Sequence, residues 1–225
     1  EYLMLSYETM TPENFMDEYN RQLQEIMTAE LDVLVVQTDT DSVTVREQSN
    51  APIVFSISDN PIATGAINDL TTPGVNVTGV VSNQHHTRRL QLLKEINPAT
   101  DVVYYLYSAF ALEGEQVLND VQALAEELNI EIVAAPVADA ATGIEALNNL
   151  PEGADWLFLT PFLPFDLPFN EALLTVSMAN KVPIAGFVAQ PTVGYLLNYG
   201  PAFDDTARQS ARMTDQILRG ANAAE

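Results

Sequence analysis

Short, unbroken runs of apolar residues recur along this chain at intervals typical of alternating strands and helices. They are Val33–Val36, Ile53–Phe55, Val77–Val81, Val102–Leu106, Ile130–Ala134, Trp156–Leu159 and Ile184–Phe187. Strands of a parallel sheet read this way because helices cover both faces, so polar residues do not alternate with apolar ones. Between most of the runs the apolar spacing changes to that of a helix. Phe15, Met16, Tyr19, Leu23, Ile26 and Met27 share one helical face. They follow Thr11-Pro12-Glu13, a start signal with a hydroxyl cap, a proline in the first turn and an early acid. Leu90, Leu93 and Ile96 form a second stripe, and Val117, Leu118, Val121, Leu124, Ala125 and Leu128 a third. Asp204–Arg219 reads as the last helix, with acids first, Arg219 in its last turn and Gly220 as the stop. The alternation predicts an α/β fold built on parallel sheets.

One stretch, Pro52–Ser82, joins that architecture to polar chemistry. Ile53–Phe55 runs into the polar loop Ser56-Ile57-Ser58-Asp59-Asn60-Pro61. A short helical stretch is expected next, then a Pro73-Gly74 turn and the strand Val77–Val81. Hydroxyls and a carboxylate thus gather at the carboxyl end of a strand, where open parallel sheets bind ligands.

Size, charge and cysteine content narrow the function. A chain of 225 residues makes one large domain or two lobes of about 100 residues each. Its longest apolar runs are about five residues, far short of the roughly 20 that span a bilayer. Glu1-Tyr2-Leu3-Met4 lacks the basic start and long apolar run of a signal peptide, so a mature form or a fragment is expected. There are 31 acids against 9 bases, a net charge of −22. That charge repels phosphate backbones and excludes nucleic acid as a partner. The acids are scattered, which reads as a solvated surface suited to screening by salt. With no cysteine, disulfides, thiol catalysis and thiolate metal sites are excluded.

Enzyme chemistry finds little footing. No phosphate-binding loop, dinucleotide glycine fingerprint or serine nucleophile elbow is present. His85-His86 reads as a solvated loop pair ahead of a helix; adjacent side chains diverge, which ill suits a shared metal. Asp39 and Asp41 have no third acid at a spacing that would complete a metal site. Asn76-Val77-Thr78 matches a glycosylation sequon, but it opens a strand and is discounted. The expectation is a protein with no catalytic residues, no cofactor and no metal.

Four motifs in register carry a family resemblance. They are Ser56–Pro61 after a strand, Pro73-Gly74-Val75-Asn76-Val77-Thr78-Gly79, Leu92-Leu93-Lys94-Glu95-Ile96-Asn97-Pro98, and Tyr199-Gly200-Pro201 before the acid-led helix that closes with Ile217-Leu218-Arg219-Gly220. In this the chain resembles the substrate-binding proteins of ABC importers, in the branch associated with tryptophan, tyrosine and similar solutes. The resemblance implies the type I periplasmic-binding-protein fold, two α/β lobes that capture a small solute in the cleft between them. It also implies docking on an ABC permease in the membrane, and a periplasmic or extracellular, membrane-anchored location. Two departures matter: the family has a further strand and helix before the segment that Glu1–Glu8 resembles, and a final strand after the last helix. A fragment or partly observed protein is therefore expected. The joints are placed at Val81–Asn83 and Leu197–Pro201, so that residues 1–81 with 200–225 form lobe one and 82–199 form lobe two.

The loops after the strands are the candidate site. In lobe one they run through Gln37–Ser42, with Thr38, Asp39 and Asp41, and through Ser56–Pro61, with Ser56, Ser58 and Asp59. In lobe two they contain Tyr107-Ser108-Ala109-Phe110, Thr160-Pro161-Phe162-Leu163-Pro164-Phe165 and Phe187-Val188-Ala189-Gln190. Polar groups concentrate in lobe one and aromatic groups in lobe two, which suits an amino-acid-like solute with an apolar body. Hydroxyls and amides would hold its carboxylate, and Asp39, Asp41 or Asp59 its ammonium. Local roles compete with this: Ser58 and Asp59 as helix caps, Asp39 and Asp41 as solvated loop acids, Phe162 and Phe165 as core aromatics. The alternative function is a ligand-sensing domain of a receptor or transcriptional regulator on the same fold.

Overall fold

The computed structural model of the protein describes residues 4, 14–58, 60–82, 85–109, 114–161, 163 and 165–224. The chain forms two compact units, Glu1–Val80 with Gln209–Glu225, and Val81–Arg208.

Unit 1 contains α1 (Phe15–Thr28), β1 (Leu34–Thr38), α2 (Asp39–Arg46), β2 (Ile53–Ser58) and most of β3 (Val77–Val81). Its sheet has the order β1-β2-β3, and β1 runs parallel to β2 with Leu34 opposite Ile53 and Thr38 opposite Ile57. Ile53, Val54 and Phe55 are all buried, as expected for a strand covered on both faces. On α1, Ile26 of the predicted stripe is buried, as is Gln22, while Tyr19, Leu23 and Met27 are half-buried.

Unit 2 opens with α3 (His85–Ile96) and continues through β4 (Val102–Ser108), α4 (Gly114–Leu128), β5 (Glu131–Val137), α5 (Ala140–Asn148), β6 (Trp156–Leu159), α6 (Leu167–Asn180), β7 (Ile184–Gly186) and β8 (Leu197–Asn198). The final helix, α7 (Phe203–Leu218), begins in unit 2 and ends in unit 1. The sheet order is β5-β4-β6-β7-β8, and every pairing is parallel. One face packs Tyr105, Trp156 and Phe158 against Leu90, Leu93 and Val121. The other packs Tyr104, Leu106, Leu157 and Leu159 against Phe169 and Leu173. Polar atoms in these layers are satisfied locally: the Trp156 indole donates to Thr100 Oγ1 at 3.0 Å, and the Tyr104 hydroxyl to the Ala146 carbonyl at 2.8 Å.

The α/β class and parallel sheets follow the sequence pattern, but several local expectations are corrected. Gln37–Ser42 is not a loop, because β1 passes directly into α2 at Asp39. Thr38 makes this possible as a cap: its hydroxyl accepts from the Asp41 amide at 3.2 Å, while Asp41 accepts from the Thr38 amide at 2.9 Å. No helix follows Pro61. The chain turns instead, with Ala63 N donating to Asn60 Oδ1, Ala66 N to the Pro61 carbonyl, and Gly65 at φ +75°. A segment this short does not repay helix nucleation, and the left-handed glycine ends any continuation. Strands β2 and β4 extend to Ser58 and Ser108, so those serines are strand residues rather than loop residues. The histidine pair opens α3 instead of preceding it. Ile96 leaves the stripe predicted for that helix and is 50% exposed.

Candidate functional site

The strand order of unit 2 creates a natural site. From β4 the chain moves to β5 on one side, whereas from β6 it moves to β7 on the other. The loops leaving β4 and β6 therefore diverge, and the crevice at such a reversal is where open α/β sheets bind ligands. Three predicted residues meet there: half-buried Tyr107 and buried Ser108 at the end of β4, and buried Thr160 just past β6. The Thr160 amide donates to the Leu106 carbonyl at 3.2 Å, which ties the two strand ends together. Phe187 leaves β7 half-buried, its ring 5.4 Å from Phe165, which in turn meets Phe169 edge-on at 6.0 Å. Phe165 is thus part of an aromatic cluster. Phe162, Pro164 and Phe110 lie outside the described residues.

The start of α3 supplies groups that the sequence reading passed over. The His85 ring meets Tyr199 edge-on at 5.6 Å. His86 and Arg89 are buried, at 6% and 1% exposure, which overturns the expectation of a solvated histidine pair. The Arg89 guanidinium lies 3.8 Å over the Phe158 ring, and Phe158 stacks on Tyr105 at 5.1 Å. A desolvated cation over an aromatic face is a favourable contact. Arg89 Nη2 approaches His86 Nδ1 at 3.4 Å; a guanidinium only donates, so Nδ1 is the acceptor there. The available signal was compositional: His85-His86-Thr87-Arg88-Arg89 holds both histidines and two of only 9 bases. Arg88 points elsewhere, to Glu95 at 2.6 Å.

In unit 1 the predicted polar groups are largely engaged by the unit itself. Thr38 Oγ1 donates to Asp41 Oδ2 at 2.8 Å, completing the capping box of α2. Asp39 is 2% exposed and accepts from Thr64 Oγ1 at 2.6 Å. That bond, with Arg46 Nη1 donating to the Gly65 carbonyl at 2.9 Å, holds the turn after β2 against α2. Ser56 Oγ lies 3.5 Å from Ser210 Oγ on α7, away from the strand's carboxyl end. Ser58 is buried at that end, one residue past Ile57, which pairs with Thr38 across the sheet. Asp59 lies outside the described residues. Among the described residues, no group of three or more His, Asp or Glu side chains is placed to hold a metal ion. None of the described helices is long and apolar enough to cross a membrane.

The comparisons with known proteins fit this geometry. The family described as ABC transporter substrate binding protein matches residues 4–225. The chain belongs to that family. Its members bind solutes and are not enzymes, and they work outside the cytoplasm, often anchored to a membrane. Among curated relatives, a tyrosine-binding protein from Clostridioides difficile is 20% identical over 192 residues, covering 84% of this chain and 54% of the relative. The chain thus spans about half the length of that relative. The ABC domain in complex with L-Trp from Streptococcus pneumonia aligns with a TM-score of 0.78 at 18% identity, over 92% of this chain and 73% of that one. A ligand-free, open substrate binding protein with adhesive properties from Clostridium difficile aligns with a TM-score of 0.68 at 18% identity, over 94% and 72%. At these identities the likeness establishes the fold, that of the two-lobed periplasmic binding proteins.

Proposed function

We propose that this substrate-binding protein serves an ABC importer and that its solute is an amino acid with an aromatic or large apolar side chain. Each compact unit acts as one lobe. Strand-end groups of unit 1, Ser58 and Asp59 with neighbouring amides, take the polar head group. Tyr107, Ser108, Thr160, Phe162 and Phe187 in unit 2 cover the body. The loaded protein then docks on a membrane permease outside the cytoplasm. The observation that carries the reading is the family match across residues 4–225. The ligand class is supported by the half-buried rings of Phe165 and Phe187, 5.4 Å apart past the ends of β6 and β7, and by the tyrosine-binding relative and the L-Trp complex.

The test is mass spectrometry of whatever solute copurifies, with calorimetry against L-tryptophan, L-tyrosine, L-phenylalanine and L-leucine. At least one is expected to bind in the micromolar range or tighter, roughly −8 kcal/mol. Asp59→Ala and Phe162→Ala, chosen from the sequence, are each expected to weaken that binding about ten- to a hundredfold. A copurifying solute that is not an amino acid, with no heat from the four, overturns the reading.

A further inference from the structure

Asn198 closes β8, in register with Gly186 at the end of β7. Its amide oxygen is sealed from solvent and, among the described residues, accepts no hydrogen bond. The surroundings of that oxygen are specific. A Cβ on Gly186 would collide with both Asn198 Oδ1 and the edge of the Tyr195 ring. The oxygen and the ring therefore lie together over a strand residue that has no side chain. Tyr195 packs against the same apolar cluster as Phe165 and Phe187, so the acceptor sits in an aromatic frame at the carboxyl edge of the unit 2 sheet. A buried acceptor left without a donor weakens a fold, and native structures rarely keep one without a reason.

We propose that Asn198 Oδ1 accepts a hydrogen bond from a donor carried on the ring of the solute, a phenol O–H or an indole N–H. This deepens the amino-acid reading above and rests on it. The aromatic frame takes any ring, so it separates tyrosine or tryptophan from phenylalanine poorly. The lone acceptor supplies the difference, because a ring without a donor leaves the oxygen unpaired in the complex. Gly186 is the residue that lets the oxygen reach this position.

Calorimetry with L-tyrosine, L-tryptophan, L-phenylalanine, O-methyl-L-tyrosine and 1-methyl-L-tryptophan tests this on the unmodified protein first. L-Tyrosine or L-tryptophan is expected to bind about ten- to a hundredfold more tightly than its methylated form and than L-phenylalanine. In Asn198→Ala the preference disappears, L-tyrosine and L-tryptophan falling to the affinity of their methylated forms. Asn198→Asp, which keeps an acceptor in place, retains the preference. Equal binding of donor-bearing and methylated rings by the parent overturns the inference, as does a preference that survives in Asn198→Ala. If the alanine variant does not fold, the methylated ligands decide alone. If the parent binds none of the five, the amino-acid reading itself fails and this inference falls with it; binding of L-phenylalanine without preference overturns the inference and leaves that reading standing.

Discussion

Removing the Asp39 carboxylate should loosen the turn that follows β2, and the size of the effect can be worked from two contacts. Asp39 is 2% exposed and its Oδ2 accepts from Thr64 Oγ1 at 2.6 Å, 25 residues further along the chain. A hydrogen bond to a charged group is worth about 1.5–3 kcal/mol. Asp39 is also the first residue of α2, where an acid adds roughly 0.3–1 kcal/mol through the helix dipole. Asp39→Ala should therefore cost about 2–4 kcal/mol, a fall of roughly 4–16 °C in melting temperature for a chain of this size. Thr64→Val removes the donor and leaves the carboxylate buried, so it should also destabilise. The double variant should cost at least about 1 kcal/mol less than the sum of the two, because the second change finds its partner already gone. Reversible unfolding of all four proteins, followed by circular dichroism, gives the coupling. Additivity within about 0.5 kcal/mol would refute the contact as the tie between α2 and the turn.

Two further outcomes follow from charge. With a net charge of −22, screening should relieve self-repulsion, so the melting temperature should rise between low and moderate salt; a flat or falling series rejects this. Asp69 has its pKa drawn down from 3.8 to about 2, first by the Thr71 hydroxyl and then by the amides of Thr71 and Thr72. A depressed folded value means that its contribution to stability is present above 3.8 and is lost as the pH falls toward about 2. Titration of the Asp69 carboxyl by NMR checks this, and a midpoint at the ordinary 3.8 would be contrary to the Thr71 contact.

The class of fold was readable in the chain because covering a sheet on both faces leaves a local mark. Ile53–Phe55, Val102–Leu106 and Trp156–Leu159 are continuous apolar runs for that reason, and all lie in buried parallel strands. The family was readable too, since its motifs are turns, caps and strand ends whose residue types follow from local backbone geometry. What each polar group at a strand end does was not readable. Thr38 caps its own helix through Asp41, three residues away, a role its immediate sequence permits but does not single out. Asp39 is claimed by Thr64, and Arg89 by a ring 69 positions distant, Phe158. Asn198 is set against Gly186 and Tyr195 by the pairing of β7 with β8. The same serine, acid or amide at the end of a strand reads alike whether it caps a helix, braces a turn or faces a solute. Burial and partner decide between these roles, and both depend on which distant segments the sheet order brings alongside. The sequence by itself determined that this protein is built of parallel α/β layers and to which family it belongs. Only the tertiary structure decided which of its polar groups are spent on the fold and which acceptor lies buried without a donor among the described residues, because hydrogen bonds and desolvation act through space rather than along the chain.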